Sequence, residues 1–249
     1  LVYSHETTDP TSAARMFFID ALREAGVQVD GSPLTENPSH RLPEPGAYRT
    51  YTKTAELESA PLSENLRLIL KVSHNLHAST LPLLLAARHG ERTLSAGLKR
   101  EAAALAGLGV DVSSISFGGG AGGSRSDFVT PRATVQLLRA MSQHKDFAKY
   151  LDGLPILGVD GTLAEAVDAD SPARGAVQAK TGTLLMENGL TGGFLCTSKA
   201  LAGYLTDAQG RKRAFAFFVN NVPLAASSET KRLGRTLGKL CEEFHRGDK

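Results

Sequence analysis

Between Asp9 and Gly26 the apolar residues Ala14, Phe17, Phe18, Ala21, Leu22 and Ala25 recur at intervals of three and four, which predicts a helix with one buried face. Asp9 suits its N-cap, Pro10 its first turn and Gly26 the position just past its end. From Asp30 to Tyr51 the pattern dissolves into proline, glycine and polar residues, which predicts a loop crossing with a domain seam nearby. Ser63 is placed to cap a second helix with Leu66, Ile69 and Leu70 inward, and this helix delivers the chain to Ser73-His74-Asn75. The segment Leu76 to Ala87 reads as helical, with Pro82 expected to kink or restart it. A short extended stretch, Val110 to Phe117, leads into a glycine cluster at 118–123. Thr130-Pro131 then opens a helix carrying Val135, Leu137, Leu138 and Met141.

After a loop holding Gly158-Val159-Asp160-Gly161-Thr162-Leu163, the stretch Ala176 to Leu185 alternates as a strand does. Two more strands follow, Ala200–Thr206 and Arg213–Asn220, joined by the turn sequence Asp207-Ala208-Gln209-Gly210. A closing helix, Glu229 to His245, carries Leu233, Leu237, Leu240, Cys241 and Phe244 on one stripe. Helices first, then an antiparallel meander, then a last helix: the order predicts an α/β fold with helices against a sheet.

Composition narrows the function classes. The chain has 249 residues, 41% hydrophobic and 22% charged, as in an ordinary globular protein with a real core. A net charge of +2, no tryptophan and no basic block argue against nucleic acid as a partner. Two cysteines, Cys196 and Cys241, leave room for one bridge at most, and seven scattered histidines make no zinc pattern. No metal or cofactor is expected. No apolar run reaches the roughly 18 residues of a membrane span. The first residue is Leu1 and no charged-then-apolar leader is visible, so the chain is expected to begin inside a longer product or after processing.

Two short motifs carry chemistry. Lys180-Thr181-Gly182-Thr183 falls on a predicted strand, where an ammonium and a hydroxyl can hold a carboxylate and glycine lets a substrate backbone lie close. Ser73-His74-Asn75, at a helix end, can pass a proton and hold an amide. Taken singly, the first is commoner as a solvated strand end and the second as a helix cap. The glycines 118, 120 and 123 satisfy G-x-G-x-x-G, but residues 124–129 separate them from the next helix start, which a dinucleotide site does not tolerate. His74 and His77 lack an evident third ligand, and Arg125 reads as a local loop anchor.

In this order, about a hundred residues apart, S-x-N and K-T-G form the pattern of serine penicillin-binding proteins and β-lactamases. Their surroundings resemble the D-alanyl-D-alanine carboxypeptidase/endopeptidase family of penicillin-binding proteins (peptidase family S13). The matching segments are Ser59-Ala60-Pro61-Leu62, Leu70 to Ala78, Gly158 to Leu163, Ala179 to Leu184, and Phe218-Val219-Asn220-Asn221.

The resemblance implies a β-lactamase/transpeptidase-like α/β fold, an antiparallel sheet packed between helices, with its N-terminal portion outside this chain. Residues 1–30 would be the remainder of an inserted region or the first helix of the catalytic domain, and residues 31–249 the C-terminal part of the penicillin-binding domain. It implies that Ser73 relays a proton and that Asn75 bonds the substrate's side amide and the catalytic lysine. Lys180 and Thr181 would grip the terminal carboxylate of D-Ala-D-Ala, or the acid group of penicillin. The Thr183 N–H would form one arm of the oxyanion hole, with substrate added along the Lys180-Thr181-Gly182 strand. Lys71 fits no motif and is read as a surface or shell residue.

The implied partners are peptidoglycan stem peptides, with β-lactam antibiotics as inhibitors, in the periplasm or another extracytoplasmic space. The third family motif, S-x-x-K, supplies the nucleophile and its base. Its two literal matches, Ser142-Gln143-His144-Lys145 and Ser228-Glu229-Thr230-Lys231, both lie downstream of Ser73 and read as chance. The nucleophile is therefore expected outside this chain, which by itself should be inert. The family's acidic and hydroxyl-bearing glycine loop appears here as Gly119 to Ser124 without those side chains. Two alternatives are a non-catalytic peptidoglycan-binding module and a β-lactamase or esterase on the same scaffold.

Overall fold

The computed structural model describes residues 8–36, 38–44 and 46–247. The chain divides into two compact units, one ending at Glu58 and one beginning at Ser59. Residues 1–7, part of the expected 1–30 segment, lie outside the described residues.

In the first unit, α1 spans Pro10–Glu24, with the Asp9 carboxylate accepting the Ser12 N–H at 3.0 Å. The expected buried face is corrected. Phe17 and Phe18 are 67% and 64% exposed, and the buried residue is Ile19. Spacing alone selected the face with more apolar positions, but a helix that packs one short stripe buries only what its neighbours reach. Short 3-10 turns at Ser39–Arg41 and Ala47–Thr50 interrupt the loop crossing.

The second unit begins with α2, Leu62–Val72. Pro61, not Ser63, occupies its N-cap, and the Pro61 carbonyl accepts the Glu64 N–H at 2.9 Å. Ser63 thus lies within the first turn, two residues past the N-cap. Helix α3 runs Asn75–Arg88 and continues through Pro82 rather than stopping there. Proline lacks the N–H that would bond the Ala78 carbonyl, and the glycine loop fills in beside that carbonyl: a methyl group on Gly120 would stand 2.3 Å from Ala78 O. Helix α4, Leu94–Gly107, meets α3 at Gly97, where an added methyl would lie 2.0 Å from Pro82 O. The glycine cluster is therefore a packing device. It sits between β1 (Ile115–Ser116) and β2 (Phe128–Val129), which pair antiparallel. Asp127 closes it by accepting the Gly118 and Ser124 N–H groups at 2.6 and 2.8 Å.

Thr130 caps α5, Pro131–Ser142, as expected, and α6 follows at Phe147–Gly153. The meander is longer than the alternation suggested: β3 is Val177–Asn188, β4 Gly193–Thr206 and β5 Lys212–Leu224, in the order β3-β4-β5. Asp207 organises the β4–β5 turn, accepting the Gln209 and Arg211 N–H groups. The sheet has two working faces. Leu201 and Leu205 point to one side, packing with Leu157, Leu163, Val177, Ala179 and the α7 residues Leu237 and Cys241. On the other side Tyr204 donates to the Leu138 carbonyl of α5 at 2.7 Å. Helix α7, Thr230–Arg246, buries Leu237, Gly238 and Cys241 but leaves Leu240 and Phe244 exposed, so only part of the expected stripe is core. Cys196 and Cys241 are both buried free thiols.

Candidate active site

The site begins with a strained residue. Ser73 ends α2 in the left-handed region, φ 59°, ψ 52°, where glycine is the usual occupant. The turn it makes reverses the chain into α3. The ring of His74 caps that helix by accepting the His77 N–H, and it lies against the His77 ring, tilted by 42° at 4.2 Å between centroids. Asn75 is the first residue of α3. A non-glycine residue held at positive φ costs on the order of 1 kcal/mol and is commonest where a side chain must be aimed.

Lys180, on β3, reaches across to this turn. Its ammonium donates to Ser73 Oγ at 2.7 Å and to the Thr181 carbonyl at 2.8 Å. Burial, and secondarily the charge of Lys199, pulls its pKa down to about 8. Thr181 points to the opposite face of the strand, as alternation requires, and its hydroxyl donates to Thr162 Oγ1 at 2.9 Å. Thr183 shares that face and accepts the Lys199 ammonium of β4 at 2.8 Å. A methyl on Gly182 would meet Ala200 Cβ at an ordinary 3.4 Å.

Ser73, Asn75, Thr162, Thr181, Thr183 and Lys199 line one cleft of about 710 Å³, closed on its far side by Thr230, Lys231, Gly234 and Arg235 of α7. The edge of β3 along it is open. Residues 155–157 cover that edge only as far as Ala179, whose N–H donates to the Pro155 carbonyl. From Thr181 onward no strand pairs with it among the described residues. Such an edge can accept an extended chain.

Sequence reasoning underestimated Lys71. Its side chain is only 14% exposed and bonds the Asp160 carboxylate at 2.6 Å, while the other Asp160 oxygen accepts the Ile156 N–H at 2.8 Å. Gly161 lies so close that a methyl there would stand 2.5 Å from the Lys71 carbonyl. Lys71 therefore fixes the segment 156–162 against the end of α2, setting Thr162 relative to Ser73. It is a part-buried shell residue, not a surface one, and its closeness to Ser73 was the available signal. Lys199 gave no signal in sequence, because nothing local links it to the 180–183 motif. Of the two S-x-x-K matches, Ser142 donates to the Arg139 carbonyl within its own helix. Lys231 lines the cleft, but Ser228 is not among its lining residues.

A lysine–serine pair at the mouth of α3, a K-T-G strand beside it and a three-stranded antiparallel sheet between helices define the penicillin-binding and β-lactamase fold. The chain belongs to the D-Ala-D-Ala carboxypeptidase 3 (S13) family, whose model matches residues 2–237. It is 32% identical to the D-alanyl-D-alanine carboxypeptidase of Actinomadura sp. (strain R39) over 219 residues, covering 86% of this chain and 37% of that protein. It thus spans well under half the length of that curated relative. Among solved structures it is similar to penicillin-binding protein 4 from Haemophilus influenzae complexed with a β-lactam, with a TM-score of 0.68 and 22% identity, covering 94% of this chain and 52% of that one. The TLA-3 extended-spectrum β-lactamase shares the fold at a TM-score of 0.53 and 17% identity, covering 94% and 81% respectively.

Proposed function

We propose that this chain supplies the proton-relay and carboxylate-binding walls of a serine-type D-Ala-D-Ala carboxypeptidase/endopeptidase acting on peptidoglycan stem peptides in an extracytoplasmic compartment. Its substrates are uncrosslinked or cross-linked stems, and β-lactams are its inhibitors. The observation that carries this reading is the 2.7 Å contact of Lys180 with Ser73, two residues 107 apart in sequence, at the wall of a cleft with an open strand edge.

The chemistry follows from the protons. The Lys180 ammonium donates to Ser73 Oγ, so the Ser73 hydroxyl hydrogen is free to point toward the reacting bond. When the nucleophilic serine attacks the peptide carbonyl, the proton it loses is relayed through Ser73, which gives its own hydroxyl proton to the leaving D-amino acid nitrogen and takes up one in return. A cation at Lys180 favours the developing negative charge on the relay oxygen. The stem peptide lies along β3, where the Thr183 N–H supports the oxyanion and Asn75 holds the substrate's side amide. In this reading the whole 31–249 stretch belongs to the penicillin-binding domain, its compact part beginning at Ser59, and residues 1–30 come from an insertion or the domain's first helix.

The longer protein containing this chain should form a stable covalent adduct with labelled penicillin and release D-alanine from a D-Ala-D-Ala peptide. No adduct at any concentration removes the enzyme reading. A second reading is favoured by the absence of both Ser142 and Ser228 from the residues lining the cleft: the chain on its own binds stem peptides without turning them over. Peptide binding by this chain without hydrolysis, together with no S-x-x-K in the upstream reading frame, decides for that alternative. Rapid cephalosporin hydrolysis with no action on the peptide decides for a β-lactamase.

A further inference from the structure

Alternation along β3 separates the two halves of the K-T-G motif. Lys180 is turned toward α2 and α3 and is occupied by Ser73 Oγ and the Thr181 carbonyl. It is not among the residues lining the cleft, whereas Thr181 and Thr183 are. The hydroxyls that would receive a carboxylate therefore face away from the motif's own ammonium. The cation on their side of the sheet is Lys199, which donates to Thr183 Oγ1 at 2.8 Å.

Lys199 is held there from both sides. Its partner position across the ladder is Thr183 itself. Above it α7 presents Gly234, where even a methyl group would touch Lys199 Cε at 3.5 Å and Nζ at 3.7 Å, so a larger side chain would fill the ammonium's space. The ammonium is half-buried, and among the described residues no carboxylate pairs with it. Its pKa is lowered, first by burial. A partly desolvated cation whose partner is a neutral hydroxyl is poorly compensated, and an anion entering the cleft would compensate it. Lys231 and Arg235 add positive charge at the rim against one lining carboxylate, Glu165, although Arg235 also pairs with Asp168 at 3.6 Å.

We propose that Lys199, rather than Lys180, is the cation that neutralises the terminal carboxylate of the bound peptide, acting with the Thr181 and Thr183 hydroxyls, while Lys180 is committed to Ser73. The identity of the carboxylate as that of a D-amino acid rests on the function proposed above; the anion site itself rests on the cleft. The work of the motif lysine is thus divided between two strands. Lys180 on β3 serves the relay, and Lys199 on β4 serves specificity for a free carboxyl end.

The test is binding of N-acetyl-D-alanine and of its carboxamide to this chain, followed through the backbone amide signals of Thr181 and Thr183. Wild type should bind the acid and not the amide. Lys199→Met should weaken the acid at least about ten-fold, the loss of one charge-assisted contact. Lys199→Arg should retain most of the affinity, and Lys180→Met should change it by less than about three-fold on the same scale. Thermal unfolding of each variant confirms that it is folded. Unchanged binding in Lys199→Met overturns the assignment, as does an equal loss in Lys231→Met, which would reduce the effect to a general field. Absence of acid-specific binding in wild type overturns it too. The penicillin adduct decides the function separately: an adduct with no role for Lys199 leaves that reading intact, and anion binding without an adduct removes only the enzyme.

Discussion

Ser73 sits in a backbone region that glycine occupies freely and serine does not, and its hydroxyl is the acceptor for Lys180. Two substitutions separate these properties. Ser73→Ala and Ser73→Gly both remove the hydroxyl and, under the proposed function, should abolish release of D-alanine. Ser73→Gly should nonetheless be more stable than Ser73→Ala by about 1 kcal/mol, because only the alanine keeps a Cβ at positive φ. Equal urea midpoints would show that the turn carries no strain. Lys180 makes a second prediction, with a definite sign. Its folded pKa of about 8 lies below the ordinary lysine value of 10.5. Below pH 8 the side chain is charged folded and unfolded, and the folded chain bears the full cost of burying it; that cost fades as pH rises from 8 toward 10.5. Wild type should therefore gain stability relative to Lys180→Met across that window in urea titrations. A constant difference would contradict the shift. Asn75, the first residue of α3, reaches the same cleft wall as Ser73.

Among the elements, α3 and α4 show why local rules need tertiary context. Pro82 is a helix breaker in isolation, yet α3 passes through it because the glycine loop packs beside the Ala78 carbonyl that proline leaves without its helical donor. Gly97 completes the arrangement by letting α4 approach the Pro82 carbonyl. Gly97→Ala places its methyl 2.0 Å from a backbone oxygen that no side-chain rotation can move. We expect a loss of about 2 kcal/mol or more, seen as a lower denaturation midpoint; a neutral result would mean the helices separate easily. The order of helices, meander and closing helix was legible from periodicity, as were the β4–β5 turn at Asp207 and the capped start of α5 at Thr130. The buried face of α1 was not, because spacing cannot say which stripe a neighbour covers. The full lengths of β3 and β4 were also missed: their outer ends, residues 186–188 and 193–199, contain glycine, asparagine and glutamate that disguise a strand.

At the scale of the whole molecule, the candidate site was legible where residues are linked by motif and illegible where they are linked only by register. Ser73, Asn75, Lys180, Thr181 and Thr183 could be named from sequence, whereas Lys199 faces Thr183 only because β4 returns antiparallel. The division after Glu58 makes a further prediction. Residues 52–60 are exposed and carry no regular structure, so limited trypsin treatment should cut after Lys53 and leave a product beginning at Thr54, which contains the unit that starts at Ser59 and stays folded. Unfolding of that product on cleavage would refute its independence. The irregularity between Leu184 and Leu185, where the partner position passes from Ser198 to Cys196, has a consequence for how such a chain can vary. What the cleft depends on is parity. One residue gained or lost before Lys180 would exchange the relay side of β3 with the carboxylate side, and two would restore it. Beyond the irregularity the count starts afresh, so the hairpin around Leu190 can lengthen or shorten by any number of residues while the ammonium and the two hydroxyls keep their sides.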